Sequence, residues 1–113
     1  MSSRRPPETR VGARTAGEIE AAVTRLTTGP AAGSETVRGA LAAYTWVAGH
    51  HRIAPVSGAT GPEDPPDDAE LDGEERAAMR RAHDKTAPGD ARDFSSGVAQ
   101  ALAWVLGHID HQP

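Results

Sequence analysis

Apolar residues recur at helical spacing in four stretches of the chain, and proline-, glycine- and acid-rich segments divide them. Ile19, Ala22, Val23 and Leu26 fall at i, i+3, i+4 and i+7, a stripe that predicts a helix from residue 15 to residue 29. Thr15 followed by Glu18 has the spacing of a capping box, in which hydroxyl and carboxylate satisfy each other's exposed amides. Gly29 and Pro30 stop the helix. Ser34 is the expected N-cap of the second, where Val37, Leu41, Tyr44, Val47 and Ala48 keep the period up to Gly49. Ala43 and Trp46 widen that stripe, so this helix should be deeply buried. The third runs from Pro65 and Pro66, suited to a first turn, to about Lys85, with a poor stripe of Leu71, Ala78, Met79 and Ala82. The fourth follows a turn at Pro88, Gly89 and Asp90, carries Phe94, Val98, Ala101, Leu102, Val105 and Leu106, and closes at Gly107. Trp104 and Ile109 add to its apolar load.

What lies between is legible from punctuation. Residues 1–14 hold Pro6, Pro7 and Gly12 with Val11 as their single large apolar side chain, and read as a disordered arm. Residues 54–68 hold prolines, glycines and acids that sustain neither regular period, and read as a surface loop. One helical domain is therefore expected over residues 15–113.

The second half nearly repeats the first. At an offset of 58, Thr28, Pro30, Gly39, Ala43, Trp46, Val47, Gly49, His50 and Pro55 meet Thr86, Pro88, Gly97, Ala101, Trp104, Val105, Gly107, His108 and Pro113 without a gap. At an offset of 56, Gly17, Glu18, Ala21, Ala22 and Arg25 meet Gly73, Glu74, Ala77, Ala78 and Arg81. Both tryptophans of the chain take the same repeat position. This predicts an all-α, four-helix antiparallel bundle built from two similar hairpins, about 15–55 and about 69–113, duplicated around an approximate two-fold axis. Gly39 with Ala43, and Gly97 with Ala101, would let the second and fourth helices approach closely, with Trp46 and Trp104 buried beside them.

Composition narrows this further. Leu, Ile, Val and Phe together number 16 of 113 residues, so the core is lean and a homodimer is one expected way to cover more of it. Without cysteine there are neither disulfides nor thiolate metal sites. No apolar run reaches the ~18 residues of a membrane span or forms a leader, so a cytoplasmic protein is expected. Net charge is −4, with Arg4, Arg5, Arg10 and Arg14 clustered at the start against acids in the middle. Those arginines give a weak electrostatic footprint for nucleic acid.

The candidate chemistry sits at the ends of the second and fourth helices. His50 and His108 each follow the glycine of a WVxGH motif. Gly49 and Gly107 should be left-handed, and the imidazoles should lie at the negative helix ends. In an antiparallel hairpin these ends lie near Glu18 and Glu74, predicting paired Glu18–His50 and Glu74–His108 clasps. The alternative is a divalent metal held by His50, His108, Asp110 and His111. No nucleophile lies beside a base and no phosphate loop is present, since Ser57, Gly58 and Gly61 lack a flanking strand and helix. Arg76, Arg80, Arg81 and His83 make a basic, solvated face on the third helix. No catalytic residue and no cofactor are expected.

The runs VRGALAAYTWVAGHHRIAPVSG and SSGVAQALAWVLGHIDHQP resemble small proteins of high-GC actinobacteria and their phages that share a Gxxx Axx WVxG pattern. The resemblance implies an accessory or mobile-element role, with no activity or site residue attached. The leading expectation is a non-enzymatic interaction protein, its partner another protein or a second copy. Metal binding through the histidines and nucleic-acid contact through the N-terminal arginines are the alternatives.

Overall fold

The computed structural model describes residues 8–29, 33–60 and 66–112. It is mostly helical: α1 (Ala16–Thr28), α2 (Glu35–Val47), α3 (Asp68–Ala82) and α4 (Gly89–Leu106) follow a short antiparallel hairpin of β1 (Arg10–Val11) and β2 (Arg14–Thr15). The helix starts follow from local chemistry. Thr15 and Glu18 form the expected capping box, and Ser34 Oγ accepts from the Val37 amide. At the third helix the capping box falls on Asp67 and Glu70, which leaves Pro66 outside the first turn. Gly29 ends α1 in an extended conformation, φ −76° and ψ 162°, because the following proline disfavours helical backbone before it.

α2 and α4 form the centre, α1 packs on α2, and α3 packs on α4. The central approach is closer than any side chain would allow. A Cβ added to Gly39 would stand 1.9 Å from the carbonyl oxygen of Phe94, and one added to Gly97 would stand 1.9 Å from that of Thr36. Both contacts obey the offset of 58, since Thr36 corresponds to Phe94 as Gly39 does to Gly97. The same offset relates the buried pairs Ala43 with Ala101, Trp46 with Trp104 and Val47 with Val105. The indoles are 5% and 4% exposed, as expected. The ring that Trp104 meets is Tyr44, edge to face at 5.8 Å, an arrangement that suits two aromatic quadrupoles.

Two expectations need correction. The outer helices do not superpose at an offset of 56. Their capping boxes, Thr15–Glu18 and Asp67–Glu70, and their buried residues, Ile19, Ala22 and Leu26 against Leu71, Glu74 and Ala78, correspond at 52. The difference is about one helical turn, and it arises because the caps and the packing set the register rather than the GExxAA match.

Residues 8–14, expected to belong to a disordered arm, pack on the molecule; residues 1–7 lie outside the described residues. Gly12 supplies a positive φ of 62° in the tight turn, and its missing side chain admits the Val105 carbonyl. Val11 is 2% exposed. The Ala13 amide donates to Val105 O at 2.8 Å, while Arg14 donates from Nε to Trp104 O at 2.7 Å and from Nη2 to Ile109 O at 2.9 Å. The Arg14 guanidinium also lies 4.5 Å from the centre of the Trp104 ring. A hairpin this short is unstable alone. Here it gives donors to carbonyls in the last turn of α4, Val105 O and Trp104 O, and its cation sits at the negative end of the helix dipole.

The crossing makes a direct prediction. Gly39→Ala and Gly97→Ala should each destabilise the protein by about 3 kcal/mol despite the better helix propensity of alanine, because backbone must move to admit the methyl group. Thermal melts of both variants test this, and unchanged melting in either would contradict the close approach.

Candidate functional site

The helix ends carry the densest chemistry, and their geometry starts from two Schellman motifs. Gly49 and Gly107 have φ of 89° and 82°. The amides of Gly49 and Gly107 donate to Trp46 O and Trp104 O, and those of His50 and His108 donate to Thr45 O and Ala103 O. The chain therefore leaves α2 and α4 in the same direction, and each imidazole turns toward the outer helix of its own hairpin.

The imidazoles meet carboxylates, but not the expected ones. His50 Nε2 lies 3.0 and 3.1 Å from the two carboxylate oxygens of Glu20. His108 Nε2 lies 3.7 Å from Glu75 Oε1. Glu18 does not reach His50, because its carboxylate accepts from the Thr15 amide at 2.9 Å; that hydrogen bond holds its titration below the usual carboxylate range. One carboxylate cannot close the capping box and clasp the imidazole as well.

Glu74 is displaced for a different reason. The cap at Asp67 puts it on the face of α3 that carries Leu71 and Ala78, where it is 3% exposed. Its Oε2 accepts the successive amides of Val56 (2.6 Å) and Ser57 (3.0 Å). A buried carboxylate thus holds the chain that leaves α2, a few residues before the left-handed Gly58. Converging amides are an effective anion cradle, and bonds to an ionised acceptor are the stronger kind.

Glu75, one residue on, faces His108 beside Asp72. Its side chain is 12% exposed. Burial pushes its carboxyl upward and the Asp72 charge adds to the shift, while His108 and Arg76 oppose it. Asp72 also pairs with Arg76 at 3.1 Å. Single donor atoms of Asp72, Glu75 and His108 all lie within 4.8 Å of one another, the one such group of metal-capable side chains among the described residues. Of the four ligands expected from sequence it includes His108. His50 is held by Glu20, and Asp110 and His111 are exposed outside the group. Glu20, Asp72 and Glu75 were missed because their role depends on helix register, which spacing alone does not set.

A second feature lies beside the 51–55 segment. A cleft of about 320 Å³ is lined by Ala42 and Thr45 of α2, Phe94 of α4, and His51, Arg52, Ile53 and Pro55. Ile53 is 61% exposed, the most exposed of the large apolar side chains described. A neighbouring cleft shares Pro55 and Phe94 but is lined by Glu35, Arg81 and Asp90. Its charges oppose one another. No helix among the described residues is long and apolar enough to cross a membrane.

No family model, curated protein or solved structure matches the chain.

Two predictions follow from the carboxylates. Glu74→Ala leaves the amides of Val56 and Ser57 without their acceptor and should cost about 2–3 kcal/mol, with faster hydrogen exchange at those two amides. Exchange unchanged at both would deny Glu74 this anchoring role. Glu75 behaves oppositely with pH. Its folded pKa is raised, so its contribution to stability is complete below the ordinary value of about 4.3 and is lost as pH rises through the folded value. In metal-free buffer, Glu75→Gln should therefore match the parent near pH 3.5 and gain on it toward pH 7. Urea unfolding across that range checks the sign, and a difference that stays flat or shrinks would contradict it.

Proposed function

We propose that this protein is a non-enzymatic interaction module whose docking site is the cleft between α2, Phe94 and the 51–55 segment. The observation that carries the reading is Ile53, left 61% exposed at a cleft whose apolar lining includes Ala42, Pro55 and Phe94, although the segment on either side is fixed, by the Gly49 turn before it and by Glu74 after it. A partner that covered Ile53 together with the apolar lining of the cleft would gain the free energy of removing both from water. His51 and Arg52 line the same cleft. The partner that fits is a protein segment with an apolar anchor beside acidic residues, the anchor entering between Ile53 and Phe94 while the acids meet Arg52.

The accessory role implied by the resemblance to small actinobacterial and phage proteins agrees with this reading. So does an origin by duplication of a helical hairpin, supported by the reciprocal contacts of Gly39 and Gly97. Duplication would leave one half's loop free to become a docking segment. The engagement of Arg14 with Trp104, and of Arg10 with the Ala13 carbonyl, weighs against a nucleic-acid arm.

Peptide display against the full chain tests the reading. Selected peptides should carry a large apolar residue next to Asp or Glu, and Ile53→Asp should weaken them about 30-fold, the scale of an interface hot spot, without lowering Tm. Binders that shift amide resonances elsewhere, or that tolerate Ile53→Asp, would refute this docking site. A stable dimer by light scattering that Ile53→Asp dissociates would instead make a second copy the occupant.

A further inference from the structure

The two helix ends repeat one backbone motif, yet the side chains around them differ. At the end of α2, one imidazole faces one carboxylate: Glu20 turns both oxygens toward His50. At the end of α4, one imidazole faces two carboxylates, Asp72 and Glu75, which stand at i and i+3 on the face of α3 that looks at His108. We propose that Asp72, Glu75 and His108 form a binding site for a divalent transition-metal ion, of which zinc is the natural probe.

The geometry supports this in three ways. First, the donors come from two elements whose relation is fixed by the packing of α3 on α4 and by the Gly107 turn, so they do not depend on a flexible tail. Second, their spacing is close to a metal shell. Carboxylate oxygen and imidazole nitrogen bind zinc at about 2.0–2.2 Å, which puts tetrahedral neighbours about 3.3–3.6 Å apart. The Glu75 to His108 separation is 3.7 Å, and all three donors lie within 4.8 Å. Rotation about the side-chain bonds of Asp72 and His108, 43% and 57% exposed, can close the remainder while the 12%-exposed Glu75 stays in place. Third, the charge is incomplete. Two carboxylates share one imidazole, and Arg76 approaches a single oxygen of Asp72, Oδ2. A dication held between Asp72 and Glu75 would offset the repulsion between their carboxylates.

One imidazole with two carboxylates suits a first-row ion such as zinc, whereas calcium and magnesium prefer oxygen ligands alone. Three protein donors leave a fourth tetrahedral position for water or an outside ligand. The site is independent of the docking cleft, which shares none of these residues.

Calorimetric titration of the tag-free full chain with zinc chloride tests the proposal. One ion per chain should bind, and Glu75→Gln and His108→Ala should each weaken it at least about tenfold, while His50→Ala leaves it unchanged. Circular dichroism and Tm of the metal-free variants confirm that they fold. With free zinc a hundredfold above the parent's Kd, Tm of the parent should rise on the order of 10 °C, and that of Glu75→Gln by about half as much or less at the same concentration. Absence of heat, or binding that survives both Glu75→Gln and His108→Ala, overturns the site. Binding lost instead with Asp110→Asn or His111→Ala places the ion on the C-terminal tail and overturns it equally.

Discussion

Two backbone carbonyls govern the structure, those of Thr36 and Phe94, because each rests where a side chain would otherwise project from the opposite central helix. Gly39 and Gly97 make that contact possible, and the cost of glycine inside a helix, about 1 kcal/mol at each position, is offset by what the approach permits. Drawn together, α2 and α4 bury alanines, valines and both tryptophans with few large side chains. A lean composition closes a core by bringing backbones together rather than by filling the gap with leucine. The same contact fixes where the ends of both helices emerge, and everything else in the molecule is arranged around those ends.

An α-helix that stops leaves carbonyls without partners, and this protein answers that demand three times over. Left-handed glycines turn the chain so that its next amides bond back. The β1–β2 hairpin supplies further donors to the end of α4, and Arg14 adds a cation to the same end while lying on the Trp104 ring. The exit from α2 is managed from a distance, by the buried carboxylate of Glu74. One end is therefore sealed by the start of the chain and the other is held by the opposite hairpin. This difference leaves Ile53 and Phe94 at an open cleft beside α2 and gathers charge beside α4.

The helices and their ends were legible in the sequence because they depend on neighbours within a few residues. Thr15 with Glu18, Ser34, Gly49 and Gly107 all act through local bonds, and the central repeat was visible because glycine and tryptophan matched without a gap. The outer pair was misread. Its apparent match of glycine, glutamate and alanines ignored the cap at Asp67, and a displacement of one turn moved Glu74 from a helix end to a buried face. The hairpin was invisible for another reason. Two-residue strands carry no periodicity, and Arg14 finds its carbonyl partner 90 residues away. Charge at the start of a chain looks like an arm until something far along the sequence is found to need it.

The likeness of WVAGHHRIAP and WVLGHIDHQP thus separates into two parts. Up to the histidine, the stretches share one turn, with left-handed glycines of similar φ, the same pair of hydrogen bonds and both indoles buried. At the histidine they part, since the two outer helices bring different acids to equivalent rings. Glu20 meets His50 at an exposed position, where such a pair contributes little. Glu75 is partly buried beside Asp72, whose Oδ2 also meets Arg76, so the other ring faces two carboxylates rather than one. The backbone is alike at both ends, and the one-turn displacement of α3 relative to the sequence match makes one of them chemically distinct.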